Sequence, residues 1–193
     1  MMDRDSVPPG WDENPTAWTK RLSLAARAFV GLCIATYLTL YQLGVFSNIW
    51  EPFFGNGSRE VLTSAFSRSL PVPDASLGAL AYLGEIVLSF VGGSKRWRTV
   101  PWTTVALGFV VGSGAIVSIL LMIVQPVVVG GWCTLCLASA FVSLTIVGPG
   151  MEESLATLQY LKRIHADGHS PWRALWGLSH EGTPVRPSRK GGG

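Results

Sequence analysis

Four long apolar runs divide the chain, and the segments between them differ in character. The first run, 24–46, is long enough to cross a hydrocarbon core of about 30 Å as a tilted helix rising about 1.5 Å per residue. A mixed segment, 47–74, follows. It carries Pro52, Gly55, Gly57, Pro71 and Pro73 with charges of both signs, and it leaves room for a short amphipathic helix over 59–69. The second run, 75–91, is shorter and holds Glu85 inside it. A basic turn at 92–98 leads to the third run, 101–124, where Gly108, Gly112, Gly114 and Ala115 make a small-residue face for close helix packing. Gln125-Pro126 is expected to end it. An uncharged link, 127–131, precedes the fourth run, 132–147, which Gly148-Pro149-Gly150 should close. Beyond it, Leu155, Leu158, Leu161 and Ile164 form the stripe of an amphipathic helix.

The pattern predicts an all-α membrane protein. Residues 1–21 form a polar, Pro-rich N-terminal arm. Residues 22–150 make a four-helix transmembrane bundle with a long loop between its first two helices. Residues 151–166 are an amphipathic surface helix, and 167–193 a disordered tail.

Composition agrees. Apolar residues make up 48% of the chain and charged ones only 14%, where a soluble domain carries about 25% charged residues. The charges are also segregated. Lys20, Arg21 and Arg27 flank the first span, Lys95, Arg96 and Arg98 fill the 2–3 turn, and Lys162 and Arg163 follow the fourth. Four alternating helices put all three sets on one side, which the positive-inside rule makes cytoplasmic. Both termini are then cytoplasmic, and the 47–74 loop faces out. The net charge of +3 therefore bears on topology rather than on nucleic acid, for which no partner role is expected. The first apolar run is not followed by an A-x-A cleavage pattern and reads as a retained span.

Candidate chemistry sits at the mouth of the fourth span. Cys133 and Cys136 lie three apart on one helical turn, where they can close and reopen a disulfide. A helix N-terminus also lowers a thiol's pKa through unpaired N–H groups and the helix dipole. The alternative is two small packing residues in a Ser/Ala-rich helix. A metal is not expected: zinc wants four ligands, and His165, His169 and His180 fall on the opposite side. Cys33 lies too deep in the first span to reach Cys133, since a disulfide needs Cα atoms within about 7 Å. It reads as a packing residue. Glu85 is costly in hydrocarbon, and pairing with Arg96 or Arg98 would account for it.

Three stretches taken in order resemble the vitamin K epoxide reductase family. They are Trp132-Cys133-Thr134-Leu135-Cys136-Leu137-Ala138-Ser139, Ser58-Arg59-Glu60-Val61-Leu62-Thr63-Ser64, and 71–82 from Pro71 to Tyr82. The resemblance implies a multi-pass membrane oxidoreductase that couples thiol–disulfide exchange to quinone reduction; the sequence shows no endoplasmic-reticulum retention tail, which favours a bacterial plasma membrane. By that likeness Cys136 faces the quinone and Cys133 exchanges with incoming thiols. Ser64, Asp74 and Tyr82 match quinone-contacting positions. Ala140 stands where some members have a further tyrosine. The family also carries two relay cysteines in the loop, expected here near Trp50 and near Gly57 or Ser58, and the 47–74 loop has no cysteine. A separate thioredoxin-like or thiol-bearing protein is then the expected partner, beside lipid and quinone. Two rivals remain: a diverged quinone-binding or scaffold membrane protein without turnover, and a small transporter or assembly factor. The latter would want more polar residues in its spans than Glu85 and Gln42.

Overall fold

The computed structural model describes residues 7–68 and 71–178; residues 1–6 of the arm and 179–193 of the tail lie outside them. Among the described residues every regular element is helical: α1 Trp18–Gln42, α2 Gly57–Leu62, α3 Ala65–Arg68, α4 Asp74–Phe90, α5 Arg96–Thr99, α6 Pro101–Val124, α7 Thr134–Ala166 and α8 Pro171–Leu175. The long helices pack as a bundle, with α1 against α4 and α7, and α6 against α7 and α4. Three of them, α1, α7 and α6 with its continuation to Val129, are long and apolar enough to cross a membrane. The fourth, α4, has 17 residues.

The surface is that of a membrane solute. Phe29, Leu80, Phe109, Ile116 and Phe141 point outward, Phe109 being 76% exposed, while Thr103, Thr104, Ser154 and Thr157 are buried. Inside, the Thr104 and Thr157 hydroxyls bond each other at 2.7 Å, and the Ser154 hydroxyl donates to the Thr104 carbonyl at 2.6 Å. Small residues permit these approaches. A Cβ on Gly108 would lie 2.0 Å from the Ser154 oxygen, and one on Gly31 would lie 2.4 Å from the Tyr82 ring.

Several boundaries differ from the sequence expectation, each for a local reason. α1 begins before 24 and stops at Gln42. Gly44 adopts φ +77°, and the N–H groups of Gly44 and Val45 bond the carbonyls of Tyr41 and Leu40, a left-handed glycine stop that satisfies end carbonyls. The expected 59–69 helix is two short helices broken at Thr63-Ser64, where the Ser64 hydroxyl accepts the Ser67 N–H at 3.2 Å and caps α3. Pro126 has no N–H to continue α6, and the chain widens into a π turn, Gln125–Val129, that ends at Gly130.

The largest difference is that α7 does not end at 148–150. It runs through Pro149 to Ala166. A proline leaves the carbonyl four residues back without its helical donor, and here Arg27 of α1 supplies one, its Nη1 donating to Thr145 O at 2.7 Å. The 151–166 segment also turns its apolar stripe outward: Leu155 and Leu158 are exposed, and Glu153, Ser154, Ala156 and Thr157 are buried.

The end of the bundle carrying the basic residues is tightly closed. Arg21 donates to the carbonyls of Ser89, Val91 and Gly92, the orphan acceptors at the end of α4. Arg96 is fully buried, donates to Leu88 O and Val91 O, and pairs with Glu153, not with Glu85 as the sequence suggested. Glu85 is itself 2% exposed, and its Oε2 has no hydrogen-bond partner. Nor is Cys33 a packing residue: it is exposed on the outer surface of α1. The described part of the arm is tied down, with Asn14 and Thr16 bonding Ser94 O, and Trp11 bonding Gln159. The described part of the tail forms α8, and Trp176 after it packs beside Trp102 and edge-on to Trp172.

Candidate functional site

The site is built on the first turn of α7. Cys133 has extended backbone and serves as the helix N-cap, its sulfur accepting the Cys136 N–H at 3.2 Å. That geometry brings the two Cα atoms to 5.2 Å, and the residues are joined as a disulfide. The Cys133 N–H donates to the Gln125 side-chain oxygen at 2.9 Å, so the π turn at the end of α6 fixes the residue from behind.

Although it stands at the mouth of its span, Cys133 is fully buried; Cys136 is half-buried. A packed apolar cluster covers the pair. Leu38 and Tyr41 of α1 and Leu62 of α2 form one cluster with Cys133, and Ile34, Ile49, Val61, Ala75, Leu135 and Cys136 pack against it. The cause of the burial is the 47–64 segment folding back over α7. Gly57 makes this approach possible, because a Cβ there would lie 2.1 Å from the Trp132 carbonyl oxygen. The Phe54 and Trp132 rings lie 6.3 Å apart beside it.

One side chain joins this segment to α7. The Glu51 carboxylate accepts the Thr134 N–H at 3.0 Å, the Thr134 and Ser58 hydroxyls, and the N–H groups of Phe53 and Phe54 at 3.2 Å. Partial burial works to raise its pKa, and the hydrogen bonds from Ser58, Thr134 and Phe53 outweigh that, holding it at about 2. Glu51 therefore remains an anion at a helix N-terminus, where negative charge is favoured.

The remaining sequence candidates do not converge on one cavity. Tyr82 is buried among α1, α4 and α7, with its hydroxyl donating to Ser139 O at 2.6 Å, one helical turn beyond Cys136. Asp74 accepts from the Gln42 side-chain nitrogen at 2.5 Å, which also donates to the Ser67 hydroxyl. Beside that pair lies a cavity of about 450 Å³ lined by Tyr41, Gln42, Phe46, Leu62, Ser67 and Pro71, among others. Ser64 caps α3 and lines a separate cavity with Glu60, Val128 and Val129. Among the described residues no group of His, Cys, Asp and Glu could hold a metal ion.

Sequence reasoning missed Glu51 and the role of Gln125. Glu51 stands next to Trp50, but a lone acid in a loop carries no sign of its partners. Gln125 read only as the end of a helix.

A model of the vitamin K epoxide reductase family matches residues 22–148, more than half of the chain. No curated protein matches.

Proposed function

Since the chain belongs to the vitamin K epoxide reductase family, we propose that it is a membrane thiol–disulfide oxidoreductase that passes electrons from a thiol-bearing protein to a quinone. The observation that carries this reading is the Cys133–Cys136 disulfide at the α7 N-terminus, packed in an apolar cluster. Tyr41 and Leu62 belong to that cluster and also to the wall of the 450 Å³ cavity. Its volume falls in the range of about 300–1,000 Å³ typical of small-molecule sites, so it suits a quinone head group. Gln42 and Asp74 supply polar atoms at its edge, and Tyr82 and Ser64 are the further candidate contacts.

In the thiol half-reaction, a donor thiolate attacks Cys133 Sγ and the Cys133–Cys136 bond breaks, leaving Cys136 as thiolate. A second donor thiol then attacks the mixed disulfide, the donor leaves as its own disulfide, and the pair is a dithiol. In the second half-reaction two electrons and two protons pass to the quinone, giving hydroquinone, and the Cys133–Cys136 disulfide re-forms. The chain's part is to hold the sulfurs at bonding distance, to favour thiolate at the helix N-terminus and to exclude water.

We assign α4 as a short fourth span, with the basic turn and both termini cytoplasmic and the disulfide at the outer face of a bacterial plasma membrane. The positive-inside pattern supports this orientation.

The test is hydroquinone formation in membranes supplied with quinone and a reduced thiol donor. Cys133→Ser and Cys136→Ser should each abolish turnover, and Cys136→Ser membranes given the donor in its disulfide form should trap a mixed disulfide that reductant removes, the Cys133 thiolate attacking one donor sulfur and the other leaving as a thiolate. A second reading, a quinone-binding scaffold without turnover, draws on the complete burial of Cys133. It predicts neither hydroquinone nor adduct.

A further inference from the structure

Among the described residues, the side-chain hydrogen bonds that fasten the segment over Cys133 to α7 all go through the Glu51 carboxylate. Glu51 Oε2 takes the Thr134 N–H and the Ser58 hydroxyl, and Oε1 takes the Thr134 hydroxyl with the Phe53 and Phe54 N–H groups. These donors come from three places: the turn after Glu51, the start of α2, and Thr134, the first of the two residues between the cysteines. Removing this one side chain frees donors on both sides of the seam. What then remains to keep the segment seated are the apolar contacts of Leu62, Val61 and Ile49 and two hydrogen bonds to α1, from the Trp50 N–H to the Tyr37 hydroxyl and from the Gln42 side chain to Leu62 O.

We propose that Glu51 is the positioning residue that controls access to the disulfide, latching the 47–64 segment over Cys133 and so excluding small thiols from its sulfur. This deepens the oxidoreductase reading and rests on it. The latch is ionic at neutral pH, and charge-assisted hydrogen bonds are about twice as strong as neutral ones. An amide in its place keeps one acceptor oxygen but turns an N–H₂ toward donors. The other ionisable groups facing the seam are Glu60, whose carboxylate lies by Gly131, Arg59 on the outer side of α2, Tyr37 and Tyr41 of α1, and Asp74, bonded to Gln42. No hydrogen bond joins any of them to Glu51 among the described residues.

The experiment uses the full chain in lipid nanodiscs and reads reduction of the Cys133–Cys136 bond by alkylation mass shift. Dithiothreitol is the probe; it becomes its cyclic disulfide as the pair becomes a dithiol. Glu51→Ala should raise the reduction rate about tenfold or more, the size of losing one or two charge-assisted hydrogen bonds, with Glu51→Gln and Ser58→Ala between it and the wild type. A phosphine reductant that works in acid supplies the pH profile, its phosphorus taking oxygen from water as the disulfide is reduced. The Glu51 pKa is depressed, so closure is complete above the ordinary value of 4.5 and is lost as pH falls toward about 2. Wild-type reduction should therefore accelerate in acid relative to Glu51→Gln, which has no carboxylate to protonate. If Glu51→Ala fails to fold, Ser58→Ala and Thr134→Val read the same rate. Wild-type rates in the folded variants, or identical acid profiles for wild type and Glu51→Gln, overturn the proposal. None of these measurements contains quinone, so failure of the latch and failure of quinone-linked turnover are separate results.

Discussion

Cys133, Tyr82 and Glu51 show how far a residue's type foretells its environment. The CxxC spacing and the helix start were both legible, because cysteines three apart on one turn have few other uses. Tyr82 was singled out only through resemblance, and its surroundings were not readable. Its ring rests on Gly31 and its hydroxyl reaches Ser139 across the bundle. Tyr82→Phe should cost about 1 kcal/mol of stability, the net worth of one hydrogen bond, readable as a lowered thermal transition in detergent. No change would mean that the Ser139 contact contributes nothing. Glu51 was not legible, because its partners, Ser58 and Thr134, are 7 and 83 residues away. The bonding sits beside the positions, Trp50 and Ser58, where relay cysteines were expected. A hydrogen-bonded anion thus fastens the loop at a place where the family likeness called for thiol chemistry.

Hydropathy marked the long helices well and their ends poorly, since ends are decided by single donors and acceptors that hydropathy does not see. The Gly148-Pro149-Gly150 stop was the plainest case. The sequence holds a helix breaker, but not the guanidinium from another helix that satisfies the freed carbonyl. Arg27→Ala should therefore leave Thr145 O without its donor and destabilise the protein by about 1–3 kcal/mol. In a Pro149→Ala background, where a backbone N–H can return to that carbonyl, the cost should shrink. A double-mutant cycle by thermal denaturation measures the coupling, and strict additivity would reject this account of the continuous helix. The inverted stripe on the last part of α7 has a similar origin. Apolar spacing shows that two faces differ. In a bundle surrounded by lipid the apolar face turns outward, so the same period carries the opposite meaning.

The molecule as a whole is an inside-out bundle, apolar on its surface and polar at selected points within. Its charge segregation was readable along the chain; which charges meet was not. The buried Arg96–Glu153 pair joins α5 to α7, and Glu153→Ala should cost about 3–5 kcal/mol by stranding a buried guanidinium. Replacing both residues with apolar ones of similar volume should recover most of it, as measured by thermal stability in nanodiscs. An equal loss in the double variant would show that Arg96 matters mainly for the α4 carbonyls it also holds. The pairing has a consequence in time as well as in space. The ribosome delivers Arg96 57 residues before Glu153, and Arg21 68 residues before the Ser89 carbonyl it will hold. Until those partners emerge, both cations are uncompensated and strongly hydrated, which opposes their being drawn into lipid. Charge compensation for Arg96 therefore has to wait for α7, although its carbonyl partners Leu88 and Val91 are already in place.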